Sequence, residues 1–340
     1  MVTTVHWPDD TRIRERLIRS LQLELEVVYA AKSPGPTDCA GLRFIELRGG
    51  RLRRNLLALR LGLQRWWDVL VLHDPETLPV GLIARAARSK PVVFDVHENI
   101  PATALTRDWA PGLLRRPLAR FLARLLRFAE RRLTITLAED GYQELFRDPH
   151  QVFPNFPDTS FYPDPAPVGD GTVVYLGDAT LERGLGTAAE ACWAAGRPLT
   201  VIGRASDRVR EAMIKTGAVL EFVGALPNAE AVSRVAGASV AICPLRDTPN
   251  HRDSAPTKIL EYLAVGVPVV ASDLPGTRSL VGRLSGVFLV APGNAASLAE
   301  GIRNAAGNGV RAETGSQAPE IRARFKWPES AVRGFYRSLV

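Results

Sequence analysis

Cysteine is scarce in this chain and long apolar runs are missing. The three cysteines among 340 residues, Cys39, Cys192 and Cys243, cannot all pair, and none stands in a CxxC or Cys/His cluster. Neither a disulfide framework nor a structural zinc is expected. No run reaches the roughly 18 apolar residues that a membrane-spanning helix needs. The opening MVTTVHWPDD has neither a basic leader nor an apolar signal core, so a cytoplasmic location is expected. No internal repeat or extended low-complexity tract stands out.

What is present suits a globular protein: 46% hydrophobic residues in a chain long enough for two domains with separate cores. Lys and Arg outnumber Asp and Glu by 43 to 36, for a net charge of +7. Such a surface attracts anions. Nucleic acid, nucleotide phosphates and anionic lipid head groups all meet that description, and the position of the charge has to choose among them.

Short β-branched runs alternate with helical patterns at Thr3 to His6, Glu26 to Tyr29, Val69 to Leu72, Val92 to Phe94 and Leu133 to Leu137. This pattern predicts a parallel α/β domain. The proline-rich stretch Phe153 to Pro167 interrupts it and reads as a linker. The alternation resumes at Thr172 to Leu176, Leu199 to Ile202, Val219 to Val223, Ser239 to Cys243, Val267 to Ala271 and Val287 to Val290, runs apolar enough to be buried on both faces. The expected domains are 1–160 with 326–340, and 168–325. Ligands of doubly wound sheets bind beyond the carboxyl ends of the strands, so the residues just after these runs carry the functional information.

The segment DSAPTKILEYLAVGVPVV, Asp253 to Val270, is the most informative. Ser254 and Pro256 suit a helix start, predicting a helix over 257–264 that stops at Gly266. Its N-terminal amides would favour a diphosphate, Lys258 would add positive charge, and Glu261 one turn later would accept ribose hydroxyls. GDATLERG, Gly177 to Gly184, follows another strand and offers Arg183; Arg204 follows a third. Gly184 to Ala189 satisfies a loose GxGxxA dinucleotide fingerprint, but six residues separate it from the glycine at the strand end, which argues against a nicotinamide enzyme.

Asp253 and Glu261, with seven residues between them and AVGVPVVASDLPGTRSLV following, resemble the EX7E region of glycosyltransferase family 4. The chain is similar to that family along nearly its whole length. The resemblance implies a GT-B fold: two Rossmann-like domains facing a central cleft, with a closing helix after Phe325-Lys326-Trp327 that returns to the first domain. It assigns the nucleotide ribose to Glu261, the transferred sugar to Asp253, the donor phosphates to Gly177, Arg183, Gly184 and Lys258, and the nucleobase to backbone near Val223. Two departures stand out. Asp253 replaces the usual Glu with a shorter side chain, and Asp178 stands where the family often has Arg, setting a negative charge where phosphate is expected.

His73-Asp74-Pro75-Glu76 and Asp95-Val96-His97-Glu98 each follow a strand. They resemble the HDPE and DxHE stretches of the same family, which places His97 beside the donor sugar and makes His73, Glu76 and Glu98 acceptor-side candidates. The opening loop His6 to Ile13 resembles a subgroup without a glycine-rich first loop and adds Asp9 and Arg12 to that group; Asp9, Asp10 and Thr11 also read as a helix N-cap. The implied activity is transfer of a hexose-type sugar from a nucleotide-diphosphate donor, UDP or GDP, to a glycan, lipid-linked glycan or small molecule. By the same resemblance configuration is retained, no metal or other cofactor is required, His97 and Asp253 serve the reacting centre, and no general base is assigned.

Between residues 110 and 133, Arg116, Arg120, Arg124, Arg127 and Arg131 form a helical stripe. It predicts either a solvated helix face or a peripheral contact with the inner face of a membrane. No aromatic residue falls within the stripe itself, so it gives little support to nucleic acid. The competing functional readings are a nucleotide-sugar epimerase of the same fold, a sugar-nucleotide-binding protein without transfer activity, and an electrostatic adaptor.

Overall fold

The computed structural model describes residues 1–35, 41–106, 111–282 and 284–340, so Cys39 and Ala110 lie outside the described residues. The chain divides into two compact units, Met1–Asn155 with Trp327–Val340, and Phe156–Lys326.

In unit 1, β1 (Val28–Lys32) and β2 (Arg43–Leu47) pair in parallel, and β3 (Leu70–Leu72), β4 (Val92–Val96), β5 (Thr134–Leu137) and β6 (Gln151–Val152) form a second parallel group in that order. Val2 bridges to both Ala30 and Leu72 and so links the two groups. The strand expected over Thr3 to His6 is reduced to this contact. The Thr3 amide still donates to the Ala30 carbonyl at 2.9 Å, but the Thr4 amide turns to the buried Asp74 carboxylate at 2.5 Å, which also accepts from the Thr3 hydroxyl at 2.8 Å.

Residues of β3 and β4 alternate between two cores. Leu70, Leu72, Val92, Phe94 and Val96 face a layer containing α2 (Arg51–Gly62), α3 (Leu78–Arg88), α4 (Ile100–Thr106) and α5 (Gly112–Glu130). Val71 and Val93 face the π-helical segment Thr11–Ile18, the short α1 (Arg19–Leu21) that continues it, and α14 (Glu329–Arg337). The last helix is fixed there by Val332 and Tyr336, and Trp327 Nε1 donates to Ser20 Oγ at 2.8 Å.

Unit 2 has one six-stranded parallel sheet in the order β12-β11-β10-β7-β8-β9. The strands are β7 (Val173–Leu176), β8 (Leu199–Ile202), β9 (Leu220–Gly224), β10 (Val240–Cys243), β11 (Val269–Ser272) and β12 (Val287–Val290). Its helices are α6 (Leu185–Ala195), α7 (Asp207–Ile214), α8 (Asn228–Gly237), α9 (Pro249–Arg252), α10 (Lys258–Ala264), α11 (Pro275–Val281), α12 (Ala295–Ala305) and α13 (Asn308–Arg324). β10 and β11 are buried on both faces, between one core that includes α8 and α10 and another that includes α6 and α12. Cys192 and Cys243 are free and buried. No helix of the described residues is long and apolar enough to cross a membrane.

Candidate functional site

Three groups converge in unit 2 where β7 ends. A Cβ placed on Gly177 would lie 3.0 Å from Lys258 Nζ and 3.7 Å from Arg183 Nη1. The Lys258 ammonium is buried without a hydrogen-bond partner and sits 4.1 Å from the centre of the Tyr175 ring. An unpaired buried cation is costly, and an anion delivered to Gly177 would satisfy it. Gly184 has φ +83°, and a Cβ there would come within 1.9 Å of the Pro244 carbonyl oxygen, so the turn into α6 requires glycine.

The Asp178 carboxylate is not left facing this group alone. Arg204 grips it with two hydrogen bonds, Nε to Oδ1 at 2.9 Å and Nη2 to Oδ2 at 3.0 Å. The Asp178 carbonyl also accepts from the Tyr175 hydroxyl at 3.1 Å and Arg183 Nη1 at 3.4 Å. Asp178 therefore organises two guanidinium groups.

The helix expected from Thr257 starts one residue later, at Lys258, and Ser254 does not cap it. Its first amides are partly occupied: Ile259 donates to Pro256, and Leu260 and Glu261 to Thr257. The Lys258 and Arg183 side chains stand beside this first turn at Gly177. Glu261 is half-buried and accepts from the Tyr162 hydroxyl at 3.4 Å. Asp253 is exposed, directly after α9. Val223, near the end of β9, packs its side chain on the core that holds Ile202 and Tyr262. His251, which the sequence did not single out, is half-buried with Nδ1 unpartnered. Burial pushes its imidazole down, and the Arg183 and Lys258 charges add to that effect.

In unit 1 the ends of β3 and β4 bring His73, Asp95 and His97 together. His97 Nε2 lies 2.6 Å from Asp95 Oδ2, and His73 Nδ1 lies 3.4 Å from the same oxygen and 3.2 Å from His97 Nε2. Burial opposes ionisation of Asp95, but the Arg12 guanidinium and the two imidazoles hold its carboxyl well below the usual carboxylate range. A carboxylate only accepts, so His97 Nε2 carries the proton and Nδ1 is turned away from Asp95. Burial lowers His73 to about 4 and keeps it neutral.

Arg12, expected on the acceptor side, is 5% exposed and engages Asp95 and the Phe153 carbonyl. Glu76 accepts from Thr4 and Asn55, and Glu98 from Thr103. Asp9 pairs with Arg14, while Asp10 caps the following helix by accepting from the Arg12 and Ile13 amides. His6, absent from the expected site, lies 5.3 Å from His97 ring to ring. Burial disfavours its charged form, but the hydrogen bond to Asp10 and the charges of Asp10, Asp74 and Glu98 prevail and raise it to about 9. The donors of His73, Asp95 and His97 all lie within 4.8 Å of one another, close enough to surround one cation. Arg12 already neutralises that carboxylate and would repel a second positive charge.

Two family models match, one in each unit. Residues 3–155 match the glycosyl transferase 4-like domain, and residues 171–308 match glycosyl transferases group 1. The chain belongs to the family 4-like glycosyltransferases of GT-B type. Solved structures agree with this fold. Sucrose-phosphate synthase from Thermosynechococcus elongatus superposes with a TM-score of 0.74 at 17% identity, covering 94% of the glycosyltransferase and 91% of that chain. Anabaena HepE, in complex with UDP and glucose, gives 0.70 at 15% identity over 99% and 97% of the two chains. WaaG, a glycosyltransferase involved in lipopolysaccharide biosynthesis, gives 0.70 at 14% identity over 93% and 92%. No curated protein matches the chain.

Proposed function

We propose that this glycosyltransferase moves a hexose from a nucleotide-diphosphate sugar, with UDP or GDP as the nucleotide, to a glycan, a lipid-linked glycan or a small molecule. The observation that carries the donor reading is the buried, unpartnered Lys258 ammonium beside Gly177 and Arg183. In this reading Lys258 and Arg183 take the diphosphate and stabilise it as leaving group, Glu261 holds the ribose, and the backbone at Val223 meets the base. Asp253 and His97 serve the transferred sugar. Neutralisation of Asp178 by Arg204 favours this reading over a protein whose phosphate site is disabled. The complex of Anabaena HepE with UDP and glucose supports a uridine donor.

Transfer proceeds with retention and without a metal, the leaving phosphate oxygen taking the acceptor proton on the same face of the sugar. The arginine stripe of α5 favours a lipid-linked acceptor and a peripheral membrane contact through residues 110–133, and gives no support to a nucleic-acid partner.

The test is thermal stabilisation of the purified protein by UDP, GDP, ADP and dTDP sugars, repeated with Lys258→Met and Glu261→Ala. A shift with one nucleotide that both variants lose is expected. Folded protein that no donor stabilises would overturn the reading. The anomeric configuration of the product, determined by NMR with and without a chelator, tests retention and metal independence.

A further inference from the structure

Three tryptophans among the described residues are exposed: Trp7, Trp66 and Trp193. They differ in place. Trp66 precedes β3, at the amino end of the unit 1 strands, and Trp193 lies in α6 of unit 2. Trp7 follows the Val2 bridge, which runs parallel to β1 and β3, and so stands at the carboxyl end of those strands, where parallel sheets bind ligands. It directly follows His6, whose ring lies 5.3 Å from that of His97.

The loop around Trp7 is pinned while its ring is left open. The Trp7 carbonyl accepts from the Asp10 amide at 3.0 Å, and the Asp10 carboxylate both caps the following helix and lies 2.9 Å from His6 Nδ1. On the other side the His6 amide donates to Thr3 Oγ1 at 3.1 Å. Lys32, the last residue of β1, sets its ammonium 3.6 Å from the centre of the Trp7 ring. The negative face of the indole attracts that charge, which fixes the orientation of the ring. With the ammonium over one face, the 47% exposure of Trp7 falls chiefly on the other face and the edge. A lone exposed aromatic residue needs no ligand. One held by a cation, on a pinned loop beside the candidate reacting centre, is a preorganised stacking platform.

A pyranose matches such a platform. Its hydroxyls point outward around the rim, while one ring face presents C–H groups whose weak positive charge suits the electron-rich indole face. A ringless alcohol has no such face. We propose that Trp7 stacks on a pyranose ring of the acceptor, with Lys32 as the positioning residue that holds the indole. This rests on the transferase reading given above and narrows its acceptor to a glycan, free or lipid-linked, over a small molecule without a sugar ring.

The experiment is saturation-transfer NMR of the full chain with the methyl pyranosides of glucose, galactose and mannose, and with glycerol as a ringless polyol, each with and without UDP or GDP. Trp7→Leu, Trp7→Phe, Lys32→Met, Lys32→Arg and Trp66→Leu are compared with the wild type, with circular dichroism and the nucleotide-induced thermal shift recorded for each. The expected result is transfer to at least one glycoside, concentrated on the protons of one ring face and absent from glycerol. Trp7→Leu should reduce it several-fold, Trp7→Phe less, and Trp66→Leu not at all; Lys32→Met should weaken it and Lys32→Arg retain it. Should Trp7→Leu fail to fold, the contrast between the two Lys32 variants decides in its place. Equal transfer in Trp7→Leu and wild type, transfer to glycerol as strong as to the glycosides, or no transfer to any glycoside would overturn the inference. A nucleotide shift that persists beside such a result leaves the donor reading standing. Absence of any nucleotide shift counts against the donor reading, and the glycosides without nucleotide still decide the role of Trp7.

Discussion

Arg12 and Asp95, 83 residues apart, form a bidentate ion pair inside unit 1, with Nε 3.2 Å from Oδ2 and Nη2 2.9 Å from Oδ1. The same carboxylate orients His97 and accepts from the Thr136 hydroxyl at 2.8 Å. Removing one partner strands a buried charge, which typically costs about 3–5 kcal/mol, whereas removing both costs less. Arg12→Met and Asp95→Asn are each expected to lower the melting temperature by roughly 10 °C, and the double variant by less than the sum. Calorimetry of the four proteins decides; additive losses would show that the two side chains act separately.

His6 is expected to link stability to pH. Its folded value near 9 exceeds the ordinary 6.5. Its stabilisation is therefore complete below about pH 6.5 and lost as pH rises through about 9. His6→Gln should melt several degrees below the wild type at acidic to neutral pH and converge with it above pH 9. His73 works in the opposite sense: held neutral with a value near 4, it weakens the fold as pH falls from 6.5 toward 4. A pH series of melting curves separates the two, and a constant gap between His6→Gln and wild type would refute the linkage.

Much of this arrangement was legible in the sequence because buried parallel strands are continuous apolar runs, so their ends, and with them His73, His97 and Gly177, could be located. β2 was not legible: Arg43–Leu47 is half-exposed along most of its length and lacks such a run. The first strand was over-read because Thr3 and Thr4 have strand propensity, while Asp74, which takes the Thr4 amide out of the ladder and also accepts from the Thr3 hydroxyl, is about seventy residues away in the chain. The same limit hid the Asp178–Arg204 pair. Asp178 alone reads as a repelling charge, and only the adjacency of β7 and β8 reveals what neutralises it. Family spacing located Asp253 and Glu261, but not how their loop is held.

Gly276 of α11 supplies that hold. A Cβ there would come within 2.3 Å of the Ser254 carbonyl oxygen and 2.5 Å of the Asp253 carbonyl carbon. Gly276→Ala must displace the segment that carries Asp253 and should lower kcat by about tenfold or more, a shift of roughly 1.4 kcal/mol in the barrier. Nucleotide affinity, which in the proposed reading depends on Lys258 and Glu261, should change much less. Steady-state kinetics beside UDP or GDP titration measures the split, and an unchanged kcat would detach Asp253 from the reaction.

Arg204 and Asp178 should be coupled in donor binding while contributing little to stability, because both are well exposed at 59% and 47%. Exposed pairs typically contribute about 0–1 kcal/mol to folding. Arg204→Ala leaves the Asp178 carboxylate unneutralised beside the cation group and should weaken nucleotide-sugar binding by about tenfold at low salt, where charges are least screened. Adding Asp178→Ala to Arg204→Ala should restore part of that loss, since the repelling charge goes with it. Titration calorimetry of the wild type, both single variants and the double variant gives the coupling directly. If Arg204→Ala and the double variant bind donor equally, Asp178 does not act on the phosphates through its charge, and its role reduces to the carbonyl that holds Tyr175 and Arg183.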